Sequence, residues 1–221
     1  WAFEKQFGPP DVIVKTKPYT LPARGQDVWW RPIVETGVTK DRCMKAISVK
    51  PSARGAAAAH HANSEFVQFD EKSGNYVETE RVSEYALGKV GEIVPLDGCR
   101  TIPANALVRW DVHYYPTGEE LKNDVIEMGI WLYPEDHKGK YKQDLKLYTL
   151  LMKGGELEIP PHGTTVTQGF HSFKTPVRID SFQPHGHFRL VAKTLEIFYP
   201  ETGKLEMVSS ISNWTNNWHT S

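Results

Sequence analysis

The 221-residue chain carries 26 lysines and arginines against 27 aspartates and glutamates, a formal net charge of −1. These charges are dispersed and form no basic block, which excludes a nucleic-acid surface built on clustered cations. Its longest apolar runs, Gly129 to Tyr133 and Leu147 to Met152, fall far short of the ~18 residues a membrane-spanning helix needs. The length suits one large β domain or two small ones. A start at Trp1, without initiator Met or signal-peptide pattern, is what a processed product or a piece of a longer protein would show.

Prolines and glycines punctuate the chain throughout, no long stretch has a 3.6-residue apolar period, and short alternating runs recur, so the expected fold is all-β. In chain order the expected strands are Ala46 to Val49, Phe66 to Phe69, Leu107 to Tyr115, Val125 to Tyr133, Val177 to Phe182, Thr194 to Tyr199 and Glu206 to Ile211. Turn signals stand at Ser73-Gly74-Asn75 and Glu201-Thr202-Gly203. Leu107 to Tyr115 is the clearest strand. Val108, Trp110, Val112 and Tyr114 make one apolar face, and Arg109, Asp111 and His113 take the other, so His113 points away from the core. Many short strands with frequent turns suggest β-sandwiches. Lys138 to Lys146 is the most loop-like stretch near the middle and the candidate linker, dividing the chain into residues 1–143 and 144–221.

Five of the nine histidines carry a metal-binding expectation. In an extended strand, side chains two apart share a face, so His185 and His187 form a pincer for one ion. Gly186 between them adds no side chain, and Pro184 before them suggests an edge strand or bulge near the surface. His60 and His61 are adjacent and diverge in a regular strand. They share an ion only if the backbone is irregular there, or if the two rings coordinate through different nitrogens. His113 is the third element. Each group has a bland reading as surface or hydrogen-bonded histidine, and their joint occurrence favours ligation. Asp111, two positions before His113 on the same face, is a candidate acceptor that would orient a ligand imidazole; its alternative is an ion pair with Arg109. His137, His162, His171 and His219 are read as non-ligands.

An all-imidazole set without a nearby carboxylate argues against the facial triad of non-haem iron and leaves copper or zinc. A cupin would need a glutamate three or four residues beyond the second histidine of the pincer, and Leu190, Val191 and Ala192 stand there. Copper would support oxygen chemistry, whereas zinc would imply a hydrolase with an activated water.

Ala59-His60-His61-Ala62, Ile102-Pro103-Ala104-Asn105-Ala106, Trp110-Asp111-Val112-His113-Tyr114, Pro116-Thr117-Gly118, Ile159-Pro160-Pro161, Phe182-Gln183-Pro184-His185-Gly186-His187 and Asn217-Trp218-His219 occur in an order and approximate spacing similar to one family. They resemble the copper type II, ascorbate-dependent monooxygenases, which include the peptide-amidating hydroxylase and dopamine hydroxylase, and look closest to the bacterial relatives. The likeness runs from Pro10-Asp11 nearly to the last residue. It implies two antiparallel, jelly-roll-like β-sandwich domains, the second incomplete, with two copper ions facing a solvent cleft.

By position, His60, His61 and His113 match the copper that stores an electron, and His185 and His187 match two ligands of the copper that binds dioxygen. The family's third ligand there is a methionine further on. Met207 is the only methionine after His187, falls on the wrong strand, and is read as a core residue. The chain also has Gly186-His187-Phe188-Arg189-Leu190 where the bacterial relatives usually carry His-Met-His followed by Leu-Arg-Gly.

The resemblance implies hydroxylation of a C–H bond of an unknown small-molecule or peptide substrate, with dioxygen and a reductant such as ascorbate. A non-catalytic copper-binding or structural subunit, with a partner chain, is the alternative. Cys43 and Cys99 make one disulfide or two buried thiols. The disulfide is the expectation, since copper of this kind and disulfides are both found outside the reducing cytoplasm, in a periplasm or cell exterior.

Overall fold

The computed structural model describes residues 1–86, 88–146, 158–184, 186 and 189–215. A one-turn helix, α1 (Glu4–Phe7), precedes β1 (Val12–Lys15), β2 (Tyr19–Leu21), β3 (Val28–Trp30), β4 (Ile33–Glu35) and β5 (Arg42–Lys50). A 3-10 turn at Gly55–Ala57 leads into β6 (Ala59–Asp70) and β7 (Asn75–Ala86). Then come β8 (Glu92–Ile93), β9 (Gly98–Ile102), β10 (Leu107–Tyr114), β11 (Leu121–Asp124), β12 (Glu127–Leu132) and β13 (Tyr141–Lys142), and finally β14 (Lys193–Tyr199) and β15 (Lys204–Ile211). The fold is all-β, with strands paired mostly antiparallel.

Strands β1 to β13 build two main sheets. One runs β1-β12-β5-β9-β13 with β8 also on β5, and the other runs β3-β10-β6-β7 with β4 also on β10; β2 and β11 pair separately. The expected strand at Leu107 is β10, whose residues alternate half-buried and buried along its whole length. Val108, Trp110, Val112 and Tyr114 face inward and meet Met44, Ile47, Met128 and Ile130 of the other sheet in one core. That alternation commits Arg109, Asp111 and His113 to the outer face. The burial of β5 does not alternate, because its sheet is covered on the outer side too. Trp131 of β12 packs edge-on against Trp1 and Phe3 and donates its Nε1–H to Gly8 O at 2.8 Å.

Cys43 on β5 and Cys99 on the neighbouring β9 form a disulfide. Lys138 to Lys146, expected as loop, contains β13, which runs parallel to β9 through Tyr141↔Gly98 and Lys142↔Cys99. Val177 to Phe182, expected as a strand, pairs with none among the described residues. Its Arg178 is instead engaged by Asp97 through two hydrogen bonds of 2.6 and 3.0 Å, so its polar side chains rather than its backbone attach it to the sandwich.

The last two expected strands are present as the hairpin β14–β15. The turn closes with Gly203 at φ +67° and its N–H on Tyr199 O at 2.9 Å. Met207, read as a core residue, is 59 % exposed. It lies opposite Glu196 in the hairpin, and no described sheet covers that face.

Candidate metal centre

The site lies on the outer face of the second sheet, where β3, β10 and β6 run side by side. Trp29, His113 and His61 form one cross-strand row, His113 pairing with Trp29 on one flank and with His61 on the other. Directly opposed residues on adjacent strands lie side by side on the same face. At this point the register slips: His113 opposes His61, but Tyr114 opposes Ala59. His60 is therefore the extra residue of a β-bulge, and a bulge re-aims a side chain that regular pleating would send to the far face. This is the backbone irregularity an adjacent histidine pair needs to share one ion. Ala59 and Ala62 on either side are buried, which fixes the pair in depth.

The approach to the bulge is held by a buried carboxylate. Asp124 accepts the Tyr114 hydroxyl and the Ser52 hydroxyl, each at 2.5 Å, and Ser52 Oγ accepts the Gly55 N–H at 2.8 Å. Burial, then the bond and charge of Asp124, push the Tyr114 phenol far above its ordinary range, so it stays a neutral donor. Tyr115 N–H on Ala58 O at 3.0 Å ties the end of β10 to the residue before the bulge.

The three imidazoles converge. Ring centres are 5.4 Å apart for His60 and His61, 5.5 Å for His60 and His113, and 5.2 Å for His61 and His113. Rings bound to one ion at the usual ~2.0–2.1 Å have centres about 3.2 Å from it, hence about 5.2–5.5 Å from each other at tetrahedral to trigonal angles. The observed triangle matches that spacing. Nδ1 of His113 is buried and has no hydrogen-bond partner among the described residues, and Nδ1 of His61 is also out of solvent contact. Among the described residues, no three His, Cys, Asp or Glu side chains stand as they are in an arrangement that could hold a metal ion. Rotation about the Cβ–Cγ bond re-aims an imidazole's nitrogens while barely moving its centre, so His60 and His61 would turn onto an ion that the ring spacing already admits. No family model matches the chain, and no curated protein is significantly similar to it. The centre is read from its own residues.

Two residues that the sequence did not single out complete it. Asp27 Oδ2 lies 2.9 Å from Nε2 of His113, and the Trp29 indole stacks on the same imidazole, 4.2 Å between centres and 7° from parallel. Asp111, expected beside His113, is taken by Arg31 Nε at 2.8 Å. Arg109, its other expected partner, bonds Glu65 instead. The alternation Asp27-x-Trp29 against Val28-x-Trp30 was the available signal, but β3 is too short to stand out as a strand.

Further along the same face, Arg31, Asn63, Glu65, Arg81, Arg109 and Asp111 line a polar depression of about 360 Å³. Burial and the neighbouring Glu78 raise the Glu65 carboxyl despite its bond to Arg109.

Among the described residues, the other histidines make contacts of their own. His137 stacks on Tyr133 and its Nε2 contacts Gly98 O at 3.1 Å. His162 sits in a turn at φ +57°, and His171 packs against Phe173. His185, His187 and His219 lie outside the described residues, so the second expected copper site has no geometry here. Gln183, two residues before the pincer, accepts Lys89 Nζ at 2.6 Å.

Proposed function

We propose that this protein is a copper-dependent monooxygenase that hydroxylates a C–H bond of a small-molecule or peptide substrate, using dioxygen and an external reductant such as ascorbate. The observation that carries this reading is the near-equilateral triangle of His60, His61 and His113, assembled by a strand bulge from residues that would otherwise face apart. Bound there, copper would supply one-electron cycling between Cu(II) and Cu(I), which side chains alone cannot provide. The chain gathers three imidazoles without a carboxylate among them, a donor set that suits copper and zinc. The sheet beneath holds the three histidines, the buried Asp124 network fixes the loop before them, and Trp29 covers one face of His113. The ion at His185 and His187 rests on the resemblance alone. A disulfide persists outside the reducing cytoplasm, which supports a periplasmic or extracellular location.

Elemental analysis of the protein loaded with metal tests the reading, with two copper ions per chain expected. His113→Ala should lower copper by about one ion per chain and abolish reductant-dependent oxygen consumption, since the remaining pair of histidines is too weak a site. Unchanged copper in that variant would overturn the assignment of the centre. Copper without oxygen consumption would favour the non-catalytic copper-binding subunit, and zinc at the same stoichiometry a hydrolase.

A further inference from the structure

We infer that Asp27 is a positioning residue of the His60, His61 and His113 centre: by accepting the Nε2–H of His113 it leaves Nδ1 as that ring's ligand atom. The inference rests on the copper reading above and adds a residue to it.

His113 is fixed in two independent ways by one short segment. Trp29, stacked at 4.2 Å and 7° from parallel, sets the plane of the ring. A stacked imidazole keeps one freedom, the half-turn about Cβ–Cγ that exchanges nitrogen for carbon at each edge without leaving the plane. The bond of Asp27 Oδ2 to Nε2 at 2.9 Å selects one of those two orientations. It also selects the tautomer. An ionised carboxylate only accepts hydrogen bonds, so Nε2 must carry the proton, and a neutral imidazole then has its lone pair on Nδ1. That is the nitrogen that is buried and without a hydrogen-bond partner among the described residues.

The side chain of Asp27 is 59 % exposed while that of His113 is only 16 % exposed. The carboxylate therefore meets the ring at its solvent-exposed edge, and Nδ1 lies at the buried one. Nothing in the packing of β3 requires a carboxylate at this position: Val28 and Trp30 pack against the core, and Asp27 does not. A carboxylate on the far nitrogen of a ligand histidine raises its basicity and fixes its orientation, and loss of such a partner typically costs about 10–100-fold in metal affinity. Its negative charge also favours Cu(II) over Cu(I), because the more highly charged ion gains more from a nearby anion.

Three proteins separate this from a structural role: the unsubstituted chain, Asp27→Ala and Asp27→Asn, each checked for an unchanged thermal midpoint. In the metal-free protein, nitrogen-15 NMR of the imidazoles should show His113 as a single Nε2–H tautomer, lost to a mixture in Asp27→Ala. Asp27→Asn keeps an oxygen acceptor, so it should retain the tautomer. Competition titration with Cu(II) should show affinity reduced about 10–100-fold in Asp27→Ala and largely kept in Asp27→Asn. The Cu(II)/Cu(I) potential of Asp27→Asn should shift positive, since the charge is gone while the bond remains. An Nδ1–H tautomer in the unsubstituted protein, or equal copper affinity in Asp27→Ala, would overturn the inference. Failure of the unsubstituted protein to bind copper would overturn the functional reading instead, and the metal-free NMR result would still decide the tautomer.

Discussion

A Cβ added at Gly55 would stand 2.5 Å from Asp124 Oδ1 and 2.7 Å from Oδ2, contacts that real side chains do not make. The carboxylate cannot retreat without loosening its bonds from Tyr114 and Ser52, and a buried carboxylate that loses donors is costly. Gly55→Ala should therefore destabilise the fold by about 1–3 kcal/mol, as overpacking of a closed site does, measured as a lower urea midpoint. The loop it disturbs delivers the bulge at His60, so copper affinity should fall as well. A variant with unchanged stability would show that Asp124 has room the structure does not reveal. Gly55 lies in a stretch that the sequence presents only as small and alanine-rich; its constraint comes from Asp124, far along the chain, and no local pattern announces it.

At the level of elements, buried Arg100 of β9 connects the two main sheets. One of its guanidinium nitrogens donates to Val82 O of β7 at 3.2 Å and to Glu92 Oε2 of β8 at 2.8 Å, and its Nε donates to Gln143 Oε1 at 3.1 Å. Arg100→Met leaves Glu92 buried with Lys89, at 2.6 Å, still paired to it, and leaves Val82 O and Gln143 without their donor, so it should cost about 1–3 kcal/mol in denaturant unfolding at neutral pH. Burial alone would push the Glu92 carboxyl up, but the charges and hydrogen bonds of Lys89 and Arg100 outweigh it and hold the group below its ordinary value. Its stabilising contribution is therefore present above the usual carboxylate range, ~4.3, and is lost as pH falls towards the depressed folded value. Glu92→Gln should flatten that acid limb. Glu84 acts in the opposite sense, since burial raises its carboxyl, so the comparison must be made against the unsubstituted protein. An acid limb equally steep in Glu92→Gln would assign it to other carboxylates.

Strands with one wet face were legible. β10 could be read from alternation because Val108, Trp110, Val112 and Tyr114 all face the core while polar residues occupy the intervening positions. β7 was missed, because Asn75 to Glu80 are exposed or nearly so on both faces and that half of the strand is held by its backbone partner β6 rather than by an apolar stripe, which begins only at Val82. The histidines themselves were legible as residues, and His113 as outward-facing. The means of gathering them was not, since a bulge is a property of the register between β6 and β10. Asp111 looked suited to hold His113 by spacing alone, yet Arg31, in the link between β3 and β4, claims it, and Asp27, just before β3, reaches the ring. Cross-strand neighbours, which a linear reading does not contain, decide these points.

For the whole molecule, the Cys43–Cys99 bridge spans 56 positions, and the loop it closes contains β6, β7, β8 and both His60 and His61. The unfolded chain with this bridge intact has far fewer conformations than the reduced one, and chain-entropy arguments give roughly 4 kcal/mol for a loop of this size. The bridge joins adjacent strands of one sheet, where Tyr133 and Val94 pack beside Cys43, so reduction removes a constraint from the unfolded state while leaving the local packing partners in place. Thiol titration in denaturant without reductant should find no free thiols. Thermal unfolding should shift to lower temperature when reductant is added, and a Cys43→Ser, Cys99→Ser double variant should show the same lowered midpoint without further response to reductant. The metal centre adds a second readout. His60 and His61 lie inside the closed loop and His113 outside it, so the bridged chain has less entropy to lose in bringing the three together. Copper should therefore protect the reduced protein against unfolding, with the midpoint rising with copper concentration as binding to the folded state alone requires. Two free thiols per chain in the untreated denatured protein would refute the bridge. A midpoint indifferent to copper in the reduced protein would refute its link to the histidine centre.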